Sequence, residues 1–503
     1  MSEYIIVKGD VSGIQDFIFN VKSDGAAKEL KGKSFFIKIL VEVVMKHFFT
    51  NADNLNYEKL ENYKITTSGG NFIIKLPYTE YNKKLVEDSQ ILFNKSLQYT
   101  VLNISIVSVK YNSSNTNKDY YKETIQSLNN ESRKNKLKFL LEEISFFKPL
   151  NKKDFNFYDF YNNNKISKWE KITFKLSICT HILIQKNDRN KELKLANSIS
   201  LAGYSILFIN SNDQSLNGDE IPLLNYLESL FPKFKSYNTN FENLSKFGSY
   251  NKGANKLAAL SMDVDGLGNV IEAIKNESDH KELDKKLNTF FNITLRNQIN
   301  NKFQNKVYTV TAGGDDTLFV GKWNTMLDLA ISINNSFKKA FENENITISA
   351  GLVIINPKFP VIRFAQLADA SLKKAKYKYP KHKGNICLFN EVIQWNKVNE
   401  INKLRLNFKK TGTTGGLLAK ARQIAAKGVD QPIKLEDFWK MGYYLRNTNN
   451  RVIRDIEKHF NNSINTTNKL EKRNHRLITP IAARLAELDE KKKKHGTQKN
   501  IIK

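Results

Sequence analysis

The chain has 503 residues, too many for a single hydrophobic core, so roughly two to four domains are expected. Lysine and arginine total 79 against 51 aspartates and glutamates, and the formal net charge of +28 favours a polyanionic partner, nucleic acid first. Only two cysteines, Cys179 and Cys387, are present, which excludes a four-cysteine zinc site and a disulfide framework and fits a reducing, cytoplasmic setting. No basic n-region followed by an apolar run opens the chain, and the apolar face of Ile37 to Thr50 carries Lys38, Glu42, Lys46 and His47, so neither secretion nor a membrane partner is expected.

In chain order, Tyr4 to Asp10 reads as a strand ending in a turn, and Gly13 to Phe19 as the start of a helix with Ser12 as its cap. A second helix is expected over Ser34 to Phe49. Tyr63 to Thr67 and Asn71 to Leu76 make a hairpin around Ser68-Gly69-Gly70, because glycines supply the positive φ of a tight turn. A helix over Lys83 to Leu97 and a strand over Asn103 to Tyr111 complete the order β-α-β-β-α-β, a ferredoxin-like palm.

The order then recurs. Lys256 to Asp263 is a strand, helices lie within Leu267 to Lys302, and Val307 to Ala312 with Thr317 to Gly321 makes a hairpin. Trp323 to Glu342 is a helix, Ile346 to Ile354 a strand, Phe364 to Tyr377 a helix and Asn385 to Phe389 a late strand. The fold class is therefore α+β with two duplicated palms. The expected domains are a first palm over 1–111, a linker over 112–250 whose first part is mixed helix and loop, a second palm over 251–395, a helical domain over 396–490 and a basic tail over 491–503. Helices are expected in the fourth of these over Leu417 to Ala426, Leu435 to Leu445 and Val452 to Phe460.

The two hairpin tips differ. The first is Gly69-Gly70-Asn71, without a carboxylate; the second is Gly313-Gly314-Asp315-Asp316. Asp263, at the end of the strand beside the second hairpin, would bring a third carboxylate to Asp315 and Asp316. Two like charges about 4 Å apart repel by about 4 kcal/mol at an effective dielectric of about 20, and a bound Mg²⁺ or Mn²⁺ reverses that sign. Asp263, the Val264 backbone, Asp315 and Asp316 are therefore the expected metal set. Gly313 and Gly314 would let the backbone approach a triphosphate. Asp265 reads either as a further metal contact or as an N-cap. The lysine-rich helix Ala368 to Lys376 offers phosphate contacts, Lys376 first and Lys373 second.

Gly32-Lys33-Ser34 resembles the end of a P-loop, but the preceding glycine, Gly25, is too far away and no strand leads in, so a Walker A site is rejected. The seven histidines include no His-Asp dipeptide, and His181 and His475 read as structural or exposed.

Gly9 to Phe19 followed by Ala27 to Phe35, Ser68 to Phe72, Met262 to Gly268 and Gly313 to Asp316 together resemble the large subunit of type III CRISPR effector complexes, the CRISPR polymerase family. Ala368 to Lys376 is similar to the phosphate-binding helix of that family's second palm and of diguanylate cyclases. The resemblance covers Tyr4 to about Phe460. It implies an antiviral nucleotidyltransferase that joins ATP into cyclic oligoadenylate, with metal on Asp263, Asp315 and Asp316. Guide RNA, target RNA and the other effector subunits are its implied partners, and target RNA is its implied switch. Gly9, Asp10, Ser12, Gly69, Gly70 and Asn71 would then shape a metal-free acceptor side between the palms.

Two departures from the family matter. The first palm begins at Tyr4, so no HD nuclease and no DNA cleavage are expected. Lys175 to His181 stands where a cysteine-rich module would be, and no zinc is expected there. Two further readings stay open: adenylyl transfer to another acceptor such as S-adenosylmethionine, and a non-catalytic RNA-binding scaffold.

Overall fold

A computed structural model of the chain describes residues 3–21, 26–97, 100–115, 117, 119–142, 181–186, 198–209, 220–222, 244–245, 253–304, 306–313, 316–344, 346–411, 416, 418–419, 422–423, 435–446 and 450–490. These form two compact units. One comprises Met1–Lys235, Gly266–Lys302 and Thr309–Thr317; the other comprises Ser236–Asp265, Phe303–Tyr308 and Leu318–Lys503.

The first unit opens with β1 (Glu3–Ser12), α1 (Ile14–Phe19) and α2 (Ala26–Asn51). After a 3₁₀ segment (Tyr57–Tyr63) come β2 (Lys64–Ser68), β3 (Asn71–Pro77), α3 (Glu80–Leu97) and β4 (Asn103–Asn112). The strand order is β2-β3-β1-β4 with every neighbouring pair antiparallel, the ferredoxin-like arrangement expected. Ile5, Ile6 and Val7 are all buried, so β1 needs cover on both faces. On one face α2 supplies Phe48, whose ring lies 6.2 Å from that of Phe72. On the other, α4 (Tyr120–Glu142) packs Tyr121, Ile125 and Leu128 against Ile6, Ile65, Ile73 and Val107. This second cover lies in the expected linker, whose first part reads as mixed helix and loop.

A second antiparallel sheet follows, from β5 (His181–Lys186), β6 (Ser198–Leu201), β7 (Tyr204–Ile209) and β8 (Glu220–Pro222), in the order β6-β7-β5-β8. No strand was expected there. The proposed zinc-module remnant up to Thr180 lies outside the described residues.

Three helices complete this unit: α5 (Leu267–Ala273), α6 (Glu277–Asn288) and, after a π-helical turn (Thr289–Thr294), α7 (Leu295–Lys302). Glu277 of α6 pairs with Lys75 at 2.9 Å, His280 meets the Tyr121 hydroxyl at 3.0 Å, and the Thr66 hydroxyl donates to Asp284. These helices follow the second palm's opening strand in sequence, yet they are fastened to the first palm's sheet and to α4.

The second unit is built around β9 (Leu257–Asp265), whose run Leu257 to Met262 is wholly buried, as a continuous apolar stretch in a central strand should be. With β10 (Val307–Gly313), β11 (Asp316–Lys322), β12 (Thr347–Ile355), β13 (Asn385–Leu388) and β14 (Glu391–Gln394), the sheet order is β10-β11-β9-β12-β13-β14, the stretch Thr309–Thr317 of β10 and β11 being the part grouped with the first unit. Its first four positions repeat the order of the first palm, so the duplication is real. Helix α8 (Trp323–Ala340) buries Trp323, Met326, Ala330, Ile333 and Phe337 at helical spacing. Helix α9 (Val361–Tyr377) crosses β12 at Gly351, where a Cβ would stand 2.3 Å from the Leu372 nitrogen. The helical region contains α10 (Trp395–Lys410), α11 (Leu435–Leu445), α12 (Asn450–Asn465) and α13 (Lys469–Glu490). Of the expected helix Leu417 to Ala426, only residues 418–419 and 422–423 are described, and they are helical. Among the described residues no helix is long and apolar enough to cross a membrane.

Candidate active site

Met262, Val264 and Asp265 of β9 are buried, and Asp263, near the end of the strand, is the one partly open position along it. Gly266, at φ 69°, then turns the chain out of the strand and into α5, a conformation that favours glycine. On α9 the buried face is Phe364, Ala365, Ala368, Leu372 and Ala375, and Lys376 stands beside its last member. Its ammonium forms an ion pair with Asp263 Oδ2 and donates to the Val264 carbonyl at 3.0 Å. The side chains of Lys376 and Asp263 are 13% and 24% exposed, so this is a sheltered contact and not a surface pair. The other lysines of the helix point elsewhere: Lys373 pairs with Asp369 at 2.8 Å, and Lys374 donates to the Asn390 carbonyl and side chain at 2.8 and 2.6 Å. Of the two expected phosphate lysines, the structure brings Lys376 to the carboxylate and leaves Lys373 on its own helix.

Asp265 is neither an N-cap nor open to solvent. The cap position of α5 belongs to Gly266, with no side-chain capping bond. The Asp265 carboxylate is buried, and its Oδ2 accepts from Thr347 Oγ1 at 2.7 Å, Ser349 Oγ at 2.9 Å and the Gly384 amide at 3.0 Å. Its Oδ1 is buried without a hydrogen-bond partner among the described residues. Asp265 thus locks β9 to β12 and to the turn before β13, directly behind Asp263. Thr347, Ser349 and Gly384 were missed by the sequence reading. Their signal is the antiparallel register that sets Thr347 opposite Asp265 and Ser349 opposite Asp263.

Gly314 and Asp315 lie outside the described residues, as does the side chain of Asp316. The described backbone ends β10 at Gly313 and begins β11 at Asp316, and these two strands are neighbours in the sheet. A divalent cation fits what is described. The Lys376 ammonium already sits on Asp263 and the Val264 carbonyl, two of the expected oxygen ligands, and an all-oxygen set suits a hard cation.

On the first palm, Gly69 and Gly70 have φ of 58° and 98°, as a two-residue hairpin with both central positions left-handed requires. The Gly70 carbonyl accepts from Val11 N at 3.1 Å, and Asn71 stands opposite Asp10. Asp10 is not open: Lys136 of α4 pairs with it at 2.6 Å. Gly9 has a packing reason, since a Cβ there would lie 1.9 Å from the buried Phe72 ring. Ser12 does not cap α1. Gly13, at φ 78°, holds that position with no side-chain capping bond, and a Cβ on it would meet the Val101 carbonyl at 2.1 Å. Gly32-Lys33-Ser34 lies inside α2, with Lys33 paired to Glu29 at 2.9 Å, which agrees with rejecting a phosphate loop.

Comparison with known proteins completes the picture. Residues 3–153 match the family model of Csm1 subunit domain B, and residues 256–386 that of the Cas10/Cmr2 second palm domain. The chain is 26% identical over 456 residues to the CRISPR system single-strand-specific deoxyribonuclease Cas10/Csm1 (subtype III-A) of Methanocaldococcus jannaschii, covering 74% of this chain and 56% of that protein. It is 23% identical over 443 residues to the protein of the same description from Enterococcus italicus, covering 79% of this chain and 55% of that one. The chain therefore spans about half the length of these curated relatives. A solved apo Csm1–Csm4 cassette superposes with a TM-score of 0.72 at 18% identity, covering 96% of this chain and 70% of that one. The same cassette in complex with cA4 gives 0.71 at 18% identity, with the same coverage. Both palm regions match models of one family, and the curated relatives align along most of the chain: it belongs to the Cas10/Csm1 family of type III CRISPR large subunits.

Proposed function

We propose that this chain is the nucleotidyltransferase subunit of a type III effector complex, converting ATP into cyclic oligoadenylate at the second palm when target RNA pairs with the guide RNA. The observation that carries this reading is the Lys376 ammonium seated on Asp263 and the Val264 carbonyl near the end of β9, in a sheet whose strands β10 and β11 end and begin on the first and last residues of Gly-Gly-Asp-Asp. Solved cassettes of similar fold are described in complex with cA4, cA3 and one ATP, which supports adenine nucleotides as the ligand class.

Asp263 supplies a partly exposed carboxylate held rigidly at a strand end. The buried Asp265 network fixes that end against β12 and the Gly384 turn. Lys376 neutralises Asp263 and is within reach of anionic phosphate oxygens when a second cation takes its place on the carboxylate. Mg²⁺ bound to Asp263, the Val264 carbonyl, Asp315 and Asp316 would supply charge neutralisation at the α-phosphate and activation of a 3′-hydroxyl. A Csm4-like subunit is the implied neighbour, after the solved cassettes. The deoxyribonuclease activity in the curated relatives' description is not assigned to this chain, whose sequence contains no His-Asp dipeptide.

The test is the product profile of the chain assembled with its partner subunits and guide RNA, given ATP and Mg²⁺ with and without target RNA. Oligoadenylate should form only with target RNA and vanish in Asp315→Ala with Asp316→Ala. Undiminished synthesis in that double variant would sink the site. A different adenylylated product would move the reading to another acceptor, and no product under any condition would favour a scaffold.

A further inference from the structure

Three helices of the second unit bring two histidines and two glutamates together far from β9 in sequence. Glu400 and Lys397 come from α10, His459 from α12, and Glu471 and His475 from α13. One ligand atom from each of Glu400, His459 and His475 lies within 4.8 Å of the others. His459 Nδ1 faces Glu400 Oε2 at 3.5 Å, too far for a good hydrogen bond. Two ligand atoms about 2.1 Å from a tetrahedral ion stand about 3.4 Å apart, so that gap is the edge length of a metal site. Both side chains offer buried nitrogen: Nδ1 of His459 and Nδ1 of His475 have no hydrogen-bond partner among the described residues. The His459 side chain is only 8% exposed, and an unsatisfied imidazole nitrogen at that depth is costly unless something accepts its lone pair.

The cluster already attracts a cation. Lys397 Nζ lies 3.5 Å from Glu400, 3.3 Å from Glu471 and 3.4 Å from His475 Nε2. Two carboxylates share this one ammonium, so the directly contacting groups are short of positive charge.

We propose that Glu400, His459 and His475 form a site for one zinc-class transition-metal dication that ties α10, α12 and α13 together, with a Glu471 oxygen as the fourth donor and Lys397 as the cation it displaces. Mixed imidazole and carboxylate donors select zinc or cobalt over Mg²⁺. The site owes nothing to the cysteine-poor stretch near Cys179, and its absence or presence leaves the nucleotidyltransferase reading untouched.

The test uses the full chain, tag removed and stripped with chelator, in an Asp263→Ala background that disables the palm carboxylate. Zn²⁺ uptake is measured by competition with a colorimetric chelator, and Co²⁺ by its visible absorption. Expected are about one metal per chain, a tetrahedral Co²⁺ spectrum and a higher melting temperature with metal. His459→Gln and His475→Gln should each weaken binding at least about tenfold, and Lys397→Met should strengthen it. Zinc uptake unchanged by both histidine variants overturns the proposal. So does absence of stoichiometric uptake in both the parent and the Lys397→Met protein, which would make the cluster a lysine-filled polar network.

Discussion

Asp265 gathers three donors on one carboxylate oxygen, from the buried Ser349 hydroxyl, the exposed Thr347 hydroxyl and the half-buried Gly384 amide. Removing the acceptor leaves the buried Ser349 hydroxyl facing protein instead of water, at about 1–3 kcal/mol for a group left unsatisfied, while the exposed Thr347 hydroxyl can turn to solvent. Asp265→Ala is accordingly expected to destabilise the second unit by about 2 kcal/mol in urea unfolding, more than an ordinary surface change. It should also lower nucleotidyl transfer, because β9 loses its anchor directly behind Asp263. Wild-type stability in the variant would show that the network carries no load. Asp263 and Lys376 were legible as candidates because one ends an apolar strand run and the other sits in a lysine-rich helix. The network behind them was not, because Thr347 and Ser349 reach Asp265 only across an antiparallel register that no local pattern encodes.

At the scale of elements, Lys376 can reach Asp263 only because α9 lies close on β12. Gly351 makes that approach possible: a Cβ there would stand 2.3 Å from Leu372 N, 2.5 Å from Ala368 O and 2.8 Å from Ser371 C, all backbone atoms that cannot swing aside. Gly351→Ala should therefore push the helix off the strand, costing about 1–3 kcal/mol by overpacking. A fall in melting temperature accompanied by reduced nucleotidyl transfer is the expected pair of readouts; an unchanged melting temperature would contradict it. The repeated strand order was readable from apolar runs and glycine tips, since those signals are local. Three features were not readable. The short strands β5 to β8 have no sustained alternation and are separated by polar stretches. Helix α13 contains Pro480, normally a breaker, and survives through burial of residues such as Leu477, Ile478, Ile481 and Leu485 on successive turns. The attachment of α6 to the first palm rests on pairings with Lys75, Tyr121 and Thr66, each remote in sequence.

For the molecule as a whole, a surplus of 28 positive charges says little about stability, whose pH dependence rests on the few titratable groups that folding shelters. Helix α6 carries two of opposite sign. Burial raises the Asp284 carboxyl from 3.8 to about 6, against hydrogen bonds from Thr66, Thr67 and Asn288 that pull it back down. Burial lowers His280 from 6.5 to about 4, helped by Lys8 and opposed by Glu277. Asp284 therefore contributes stability that is fully present below pH 3.8 and lost as pH rises through about 6. His280 contributes stability present above pH 6.5 and lost as pH falls through about 4. Each amounts to about 3 kcal/mol at its favourable extreme. Between about pH 4 and 7 the two run in opposite directions and largely offset each other, so single substitutions should expose them. Relative to Asp284→Asn, the wild type should lose about 3 kcal/mol on going from pH 4 to 7, whereas relative to His280→Gln it should gain about as much. Urea titrations of the three proteins at several pH values measure both slopes. Parallel pH profiles for wild type and variants would show that neither group changes its proton affinity when α6 docks on the first palm.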